Sequence, residues 1–365
     1  MSSQNLPQLY SSLRQFIGQT LPDECQTRLA NLLWMMSGIY LSRSVQLNHM
    51  AGKVPIRAKK LSTVKRFSRF LENAQVRTRI WYDPFARWML QSAASGGQVH
   101  LIMDTTMASF GFRLVMVSVA YRRRSLPLVW TWLRGMKGHS TSRTQIALLK
   151  AAQTLLPTNC RVSVVGDCEF GRCALIAHLC AVGWDYALRQ VGRQMVWWQG
   201  NGQWQRVDSF LNEPGCRRLR WVVMTHSHEQ LTHLVAFWRK GEPEGWHLAT
   251  NQSSLRAAVR LYRRRMWIEA MFADFKRQGF DLASSHLRSP QRLSRLTLLV
   301  ALLYLWLMAV AGQVERAGWV DLVDRHDRRD LSLFRLGWDF VERCLSLNDP
   351  IPIVSASLFC SVSGN

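Results

Sequence analysis

Acidic residues are scarce in this chain. Only 24 aspartates and glutamates stand against 47 lysines and arginines, a formal net charge of +23 over 365 residues. Hydrophobic residues make up 48%, which excludes a basic disordered tail and leaves a folded protein with a polyanionic partner. Nucleic acid is the first such partner and an anionic membrane the lesser one. The eight cysteines contain no C-x2-C pair, which argues against a zinc module. They read as buried, reduced thiols of a cytosolic protein. The opening MSSQNLPQLY lacks a basic segment followed by an apolar stretch, so no secretion signal is expected. Internal repeats and low-complexity segments are missing too. Only one long apolar run occurs, Leu296 to Gly312, at the short edge for spanning a bilayer. Ser289-Pro290 before it makes a good N-cap and first-turn pair, and the run reads as a helix buried in a soluble core.

Residues 6 to about 93 carry helical periodicity: Leu6 to Gly18, Asp23 to Ile39, Ser42 to Met50, and Thr63 to Asn73 with Ser62 as N-cap. In the last of these Val64, Phe67, Phe70 and Leu71 form an apolar stripe, and Lys65, Arg66 and Arg69 lie opposite. With Arg57, Lys59 and Lys60 just upstream they form a compact basic patch suited to phosphates of duplex DNA. Around residue 97 the period changes. Strands are expected at 99–104, 112–121, 126–133, 161–167 and 186–190, with helices at 142–156 and 171–182. Three strands, helix, strand, helix, strand is the order of a ribonuclease H-like fold. In that fold the first and fourth strands can be neighbours, bringing Asp104 and Asp167 close together.

Residues 193 to 245 form a β-rich insertion that opens with a hairpin turning at Gly200-Asn201-Gly202. Its tryptophans (197, 198, 204, 221 and 238) could stack on unpaired bases, although core packing is the commoner use of such residues. WHLAT at 246–250 returns to the main sheet and leads into one predicted helix, Leu255 to Lys276. Tyr262, Arg265, Glu269 and Lys276 project within about 60° of one another on that helix. A lone carboxylate between two cations is most often a structural salt bridge. With Asp104 and Asp167, however, Glu269 completes three convergent carboxylates, a donor set for two Mg²⁺ ions, and such a pair suits in-line displacement at a phosphodiester.

These residues resemble the DDE transposases of bacterial insertion sequences, specifically the insertion-sequence-4 group of cut-and-paste elements. The group's motif Y-x2-R-x3-E-x6-K is matched at every spacing by Tyr262, Arg265, Glu269 and Lys276. LIMDTT around Asp104 and VVGDCEFGR around Asp167 look like its two aspartate segments, and VPIRAKKLSTVKRFSRFLEN like its end-binding region. The resemblance implies an α/β, ribonuclease H-like catalytic core at 96–192 and 246–288, interrupted by the insertion at 193–245. A helical DNA-binding domain at 1–95 precedes the core and a helical region at 289–365 follows. It implies that Asp104, Asp167 and Glu269 are catalytic and bind two Mg²⁺, with Mn²⁺ as substitute. It implies that Tyr262, Arg265 and Lys276 grip DNA near the cleaved end, while Lys59, Lys60, Lys65, Arg66 and Arg69 supply the N-terminal DNA contacts. The partners would be double-stranded DNA, both the element's terminal inverted repeats and the target. Members of this group cut both strands at the element's ends, often through a DNA hairpin, and join the 3′-hydroxyls to target DNA. A homodimer is expected because two ends must be brought together, in the bacterial cytoplasm at the nucleoid and with no membrane. The alternatives are a ribonuclease H-like nuclease that never joins, a catalytically inactive DNA-binding relative, and a membrane protein using the apolar run.

Overall fold

The computed structural model describes residues 5–21, 24–108, 111–135, 138, 140–225 and 230–354. Two compact units make up the chain, one from residues 1–95, 107–113 and 271–365, the other from 96–106 and 114–270.

The second unit is built on a ten-stranded sheet of order β3-β2-β1-β4-β5-β10-β9-β8-β6-β7. Its first strands are β1 (Gln98–Met107), β2 (Phe112–Tyr121), β3 (Arg124–Arg134), β4 (Arg161–Gly166) and β5 (Asp185–Arg189). β4 runs parallel to both β1 and β5. Strands sandwiched in this way read as near-continuous apolar runs, and Leu101, Ile102, Met103, Val164 and Val165 are all buried. The crossovers are α6 (Ser142–Gln153), capped by the Thr141 hydroxyl accepting from the Thr144 N–H at 3.3 Å, and α7 (Cys173–Ala181). The insertion does not leave the sheet. β10 (Trp246–Thr250) pairs antiparallel with β5, and β9 (Gln230–Trp238), β8 (Gly215–Met224), β6 (Met195–Trp198) and β7 (Gln203–Arg206) extend it outward. The hairpin at 200–202 joins β6 to β7. In β8 exposed and buried residues mix along the strand, and a bulge between Leu219 and Val222 throws Trp221 into solvent with φ of 54°.

The first unit is helical: α1 (Asn5–Gly18), α2 (Gln26–Ser42), α3 (Leu47–Ala51), α4 (Lys60–Glu72), α5 (Thr78–Ala93), α10 (Pro290–Arg316) and α11 (Leu333–Leu347). The apolar run is the middle of α10, capped by Ser289 with Pro290 in its first turn. α10 packs against α2, α4, α5 and α11. Its length and composition would allow a bilayer crossing, but 89% of its apolar window is buried in the protein itself. Each buried leucine there contributes roughly 1.5–3 kcal/mol, so packing accounts for the hydropathy of the run. The crossing with α11 is close: a Cβ on Gly337 would lie 2.1 Å from the Leu307 carbonyl oxygen.

Three expectations need correction. α4 starts at Lys60 because the Lys59 carbonyl already accepts from the Ser62 and Thr63 N–H groups, so Ser62 lies inside the first turn. The region expected to be helical from 289 onward is not continuous: after α10 it holds only a 3-10 turn at Val320–Leu322 until α11 starts at Leu333. Before it, the Asp324 carboxylate gathers the N–H groups of Arg325, Asp330 and Leu331 into a loop. The cysteines are mostly not core: among the described residues only Cys344 is buried, while Cys25, Cys180 and Cys216 are exposed. The expected start of the second helix at Asp23 lies outside the described residues.

Candidate active site

The site lies in the second unit. The register of β1 against β4 sets Met103 opposite Gly166, so Asp104 and Asp167 each follow a paired residue on neighbouring parallel strands. Adjacent strands lie about 4.8 Å apart. Asp104 is 1% exposed, and its Oδ1 accepts from the Thr105 N–H at 2.7 Å. Asp167 directly follows β4 and caps a 3-10 turn, Cys168–Phe170, with its Oδ1 accepting from the Glu169 N–H at 2.9 Å. Glycine is required on both sides of that turn. A Cβ on Gly166 would lie 2.8 Å from the Phe170 Cβ, and one on Gly171 would lie 2.5 Å from the Arg189 carbonyl oxygen.

The segment expected as a single helix from 255 to 276 is interrupted. α8 (Leu255–Tyr262) starts at a Ser254 cap, a 3-10 turn covers Arg263–Arg265, and α9 (Met266–Phe275) follows. Arg265 stands at the junction. Its Nη2 donates to Asp104 Oδ2 at 3.0 Å and its Nη1 to Glu269 Oε1 at 2.6 Å. Burial alone would depress the Arg265 pKa, but Asp104, Tyr262, Glu269 and Asp167 outweigh it and hold the pKa above its usual value. One guanidinium therefore lies in the field of all three acids. Tyr262 is buried, edge-on to Trp246 at 5.0 Å between ring centroids. Burial raises its pKa against the lowering effects of Arg265 and Arg189, so it is a neutral hydroxyl at physiological pH. Lys276 lies one residue beyond α9, in the first unit, with its N–H on the Phe272 carbonyl at 3.1 Å. Within the second unit Arg265 thus joins Asp104 to Glu269, with Tyr262 and Asp167 close enough to act on its charge.

The family model for the transposase DDE domain matches residues 96–306, more than half of the chain. The chain belongs to this family. No curated protein matches it. Among solved structures, the piggyBac transposase synaptic complex with hairpin DNA is similar over 99% of this chain and 85% of that one, with a TM-score of 0.45 and 8% identity.

Divalent metals are general to DDE transposases. Here the candidate donors are all carboxylate oxygens, which suit a hard cation. The guanidinium between Asp104 and Glu269 already fills a place for positive charge. The donor chemistry fits. No three His, Cys, Asp or Glu side chains among the described residues, however, lie together as ligands.

Two residues of this DDE domain escaped sequence reasoning. Glu169 is buried, and its carboxylate accepts from the N–H groups of Gly138 at 3.0 Å and Ser140 at 2.8 Å, tying the Asp167 turn to the loop after β3. An acid two residues after a strand-ending aspartate was the available signal. Arg189, at the end of β5, pairs with Glu244 at 2.7 Å and borders a cavity of about 750 Å³ with Cys168, Asp208 and His247. No local pattern marked it, because its partner comes from the far side of the insertion.

In the first unit Lys59, Lys60, Lys65 and Arg69 are exposed at and along α4. Arg66 is not: it is half-buried and donates to the Asn31 side-chain oxygen. Of the insertion's tryptophans only Trp221 is exposed, beside His233; Trp197, Trp198, Trp204 and Trp238 are half-buried.

Proposed function

We propose that the protein is the DNA transposase of an insertion sequence of the insertion-sequence-4 group. It would bind the terminal inverted repeats of its element, cleave their ends and join them to target DNA. The observation that carries this reading is the meeting of Asp104 and Asp167 on neighbouring strands with Arg265 and Glu269, inside a transposase DDE domain. Asp104, Asp167 and Glu269 are assigned as the ligands of two Mg²⁺ ions, for which Mn²⁺ would substitute. The ions would lower the pKa of the attacking water or 3′-hydroxyl and neutralise charge at the leaving oxygen.

The remaining groups bind and orient. Arg265 and Lys276 carry the charge that a cleaved-end phosphate needs, and the neutral Tyr262 hydroxyl is a donor to one. Residues 1–95 are assigned as the DNA-binding region, with Lys59, Lys60, Lys65 and Arg69 on phosphates and Arg66 behind them. Residues 96–192 and 246–288 form the ribonuclease H-like core, 193–245 the insertion and 289–365 the helical C-terminal region. Two ends require two active sites or one used twice, so a homodimer on DNA belongs to the reading. A hairpin intermediate belongs to it as well, and so does a place in the bacterial cytoplasm at the nucleoid.

The test is excision in Mg²⁺ of a DNA segment bounded by the gene's own flanking sequences, comparing wild type with Glu269→Gln. Excision and joining by wild type, reduced at least about 100-fold in the variant, is expected. A hairpin band should appear on denaturing gels. Cleavage without joining would replace the reading by a nuclease, and equal cleavage by both proteins would remove Glu269 from the site.

A further inference from the structure

The carboxylates of the site already hold a cation, and it is the chain's own. Arg265 is 13% exposed at its side chain and bridges Asp104, 2% exposed, to Glu269, 45% exposed. Those oxygens belong to two of the three acids read as metal ligands. A guanidinium and a dication cannot share them, because like charges at contact distance in a poorly solvated site repel strongly. The grip is also incomplete. Arg265 Nε is buried and has no acceptor among the described residues. The residue closes a 3-10 turn between α8 and α9, a geometry with weaker backbone bonds than the helices around it. A guanidinium fork matches phosphate as well as carboxylate, so it has somewhere else to go when DNA arrives.

We propose that Arg265 closes the carboxylate site to divalent cations in the DNA-free protein, and that a DNA phosphate opens it by drawing the guanidinium away. The proposal rests on the reading of Asp104, Asp167 and Glu269 as metal ligands. It makes metal and DNA binding mutually reinforcing, since whatever removes Arg265 favours the ion and the ion favours its removal.

The experiment is titration of the full chain with Mn²⁺ alone, reading free Mn²⁺ by electron paramagnetic resonance. Wild type, Arg265→Gln and Arg265→Lys are compared, each with and without Asp104→Asn. Arg265→Gln should bind Mn²⁺ about tenfold tighter than wild type or better, and Asp104→Asn should erase the gain. Arg265→Lys keeps the charge but loses the fork, and an intermediate gain from it carries the test should the glutamine variant fail to fold. A short duplex of arbitrary sequence should tighten Mn²⁺ binding by wild type but not by Arg265→Gln. Equal, Asp104-dependent affinity in wild type and both Arg265 variants overturns the closure and leaves the metal-site reading standing. Mn²⁺ binding that never depends on Asp104, with or without duplex, overturns both.

Discussion

Two arginine-rich stretches of this chain carry nearly the same charge and do opposite things with it. In α4, Lys60, Lys65 and Arg69 are exposed, and the one acid of the helix, Glu72, is taken by Arg292 of α10 at 3.2 Å. In the turn at 263–265, Arg265 is drawn inward between Asp104 and Glu269. The difference comes from where the acids are. A cation without a nearby carboxylate contributes to a long-range field that salt screens over about 10 Å. A mostly buried cation bonded to two carboxylates is held in a short-range geometry that salt screens much less. In one stretch the charge is a surface property, and in the other it is part of the packing.

That contrast is broken most severely by adding a single methyl group at the packed site. Gly166→Ala would push a Cβ into Phe170 at the strand end that sets Asp167. We expect a stability loss of about 1–3 kcal/mol, read as a lower midpoint in thermal or urea unfolding. DNA cleavage should fall with it. An unchanged midpoint with full cleavage would show that the Asp167 turn relaxes around the methyl group and that its geometry is not tightly set.

Removing two whole cations from α4 should do the reverse. Lys65→Ala combined with Arg69→Ala should leave the unfolding midpoint near wild type, since both side chains are exposed. Affinity for the element's ends should fall, and the slope of log affinity against log salt should drop by about 1.8, at roughly 0.9 for each phosphate contact. An unchanged slope, measured by fluorescence anisotropy over a salt series, would take α4 off the DNA.

Much of this arrangement was legible in the sequence because it depends on local pattern and element order. The run of strands and helices from 98 to 189 was enough to make β1 and β4 neighbours and so to bring Asp104 and Asp167 together. The spacing from Tyr262 to Glu269 marked the right side chains, but not the break in their helix. Arg265 reaches Asp104, 161 residues away, and helical periodicity contains no term for such a partner. The insertion shows the same limit: its β character and its hairpin at Gly200-Asn201-Gly202 were readable, while its continuity with the core sheet through β10 is a long-range pairing. Trp221 owes its exposure to a bulge that its composition does not announce.

Arg66 is the residue on which the comparison turns most finely, because sequence grouped it with Lys65 and Arg69 and the structure separates it from them. Its guanidinium is tied to Asn31 on α2, half-buried, so within α4 it behaves as the arginines of the other stretch do. Arg66→Ala should therefore lower stability by about 1 kcal/mol, the net value of a hydrogen bond to a charged group that remains partly solvated. It should leave the salt slope of DNA binding unchanged. Thermal melts and the same salt series decide the matter. A slope reduced by about 0.9 with no change in the melt would place Arg66 on a phosphate with its neighbours. The bond to Asn31 would then be one that the protein gives up on DNA, as the bond between Arg265 and Asp104 is proposed to be.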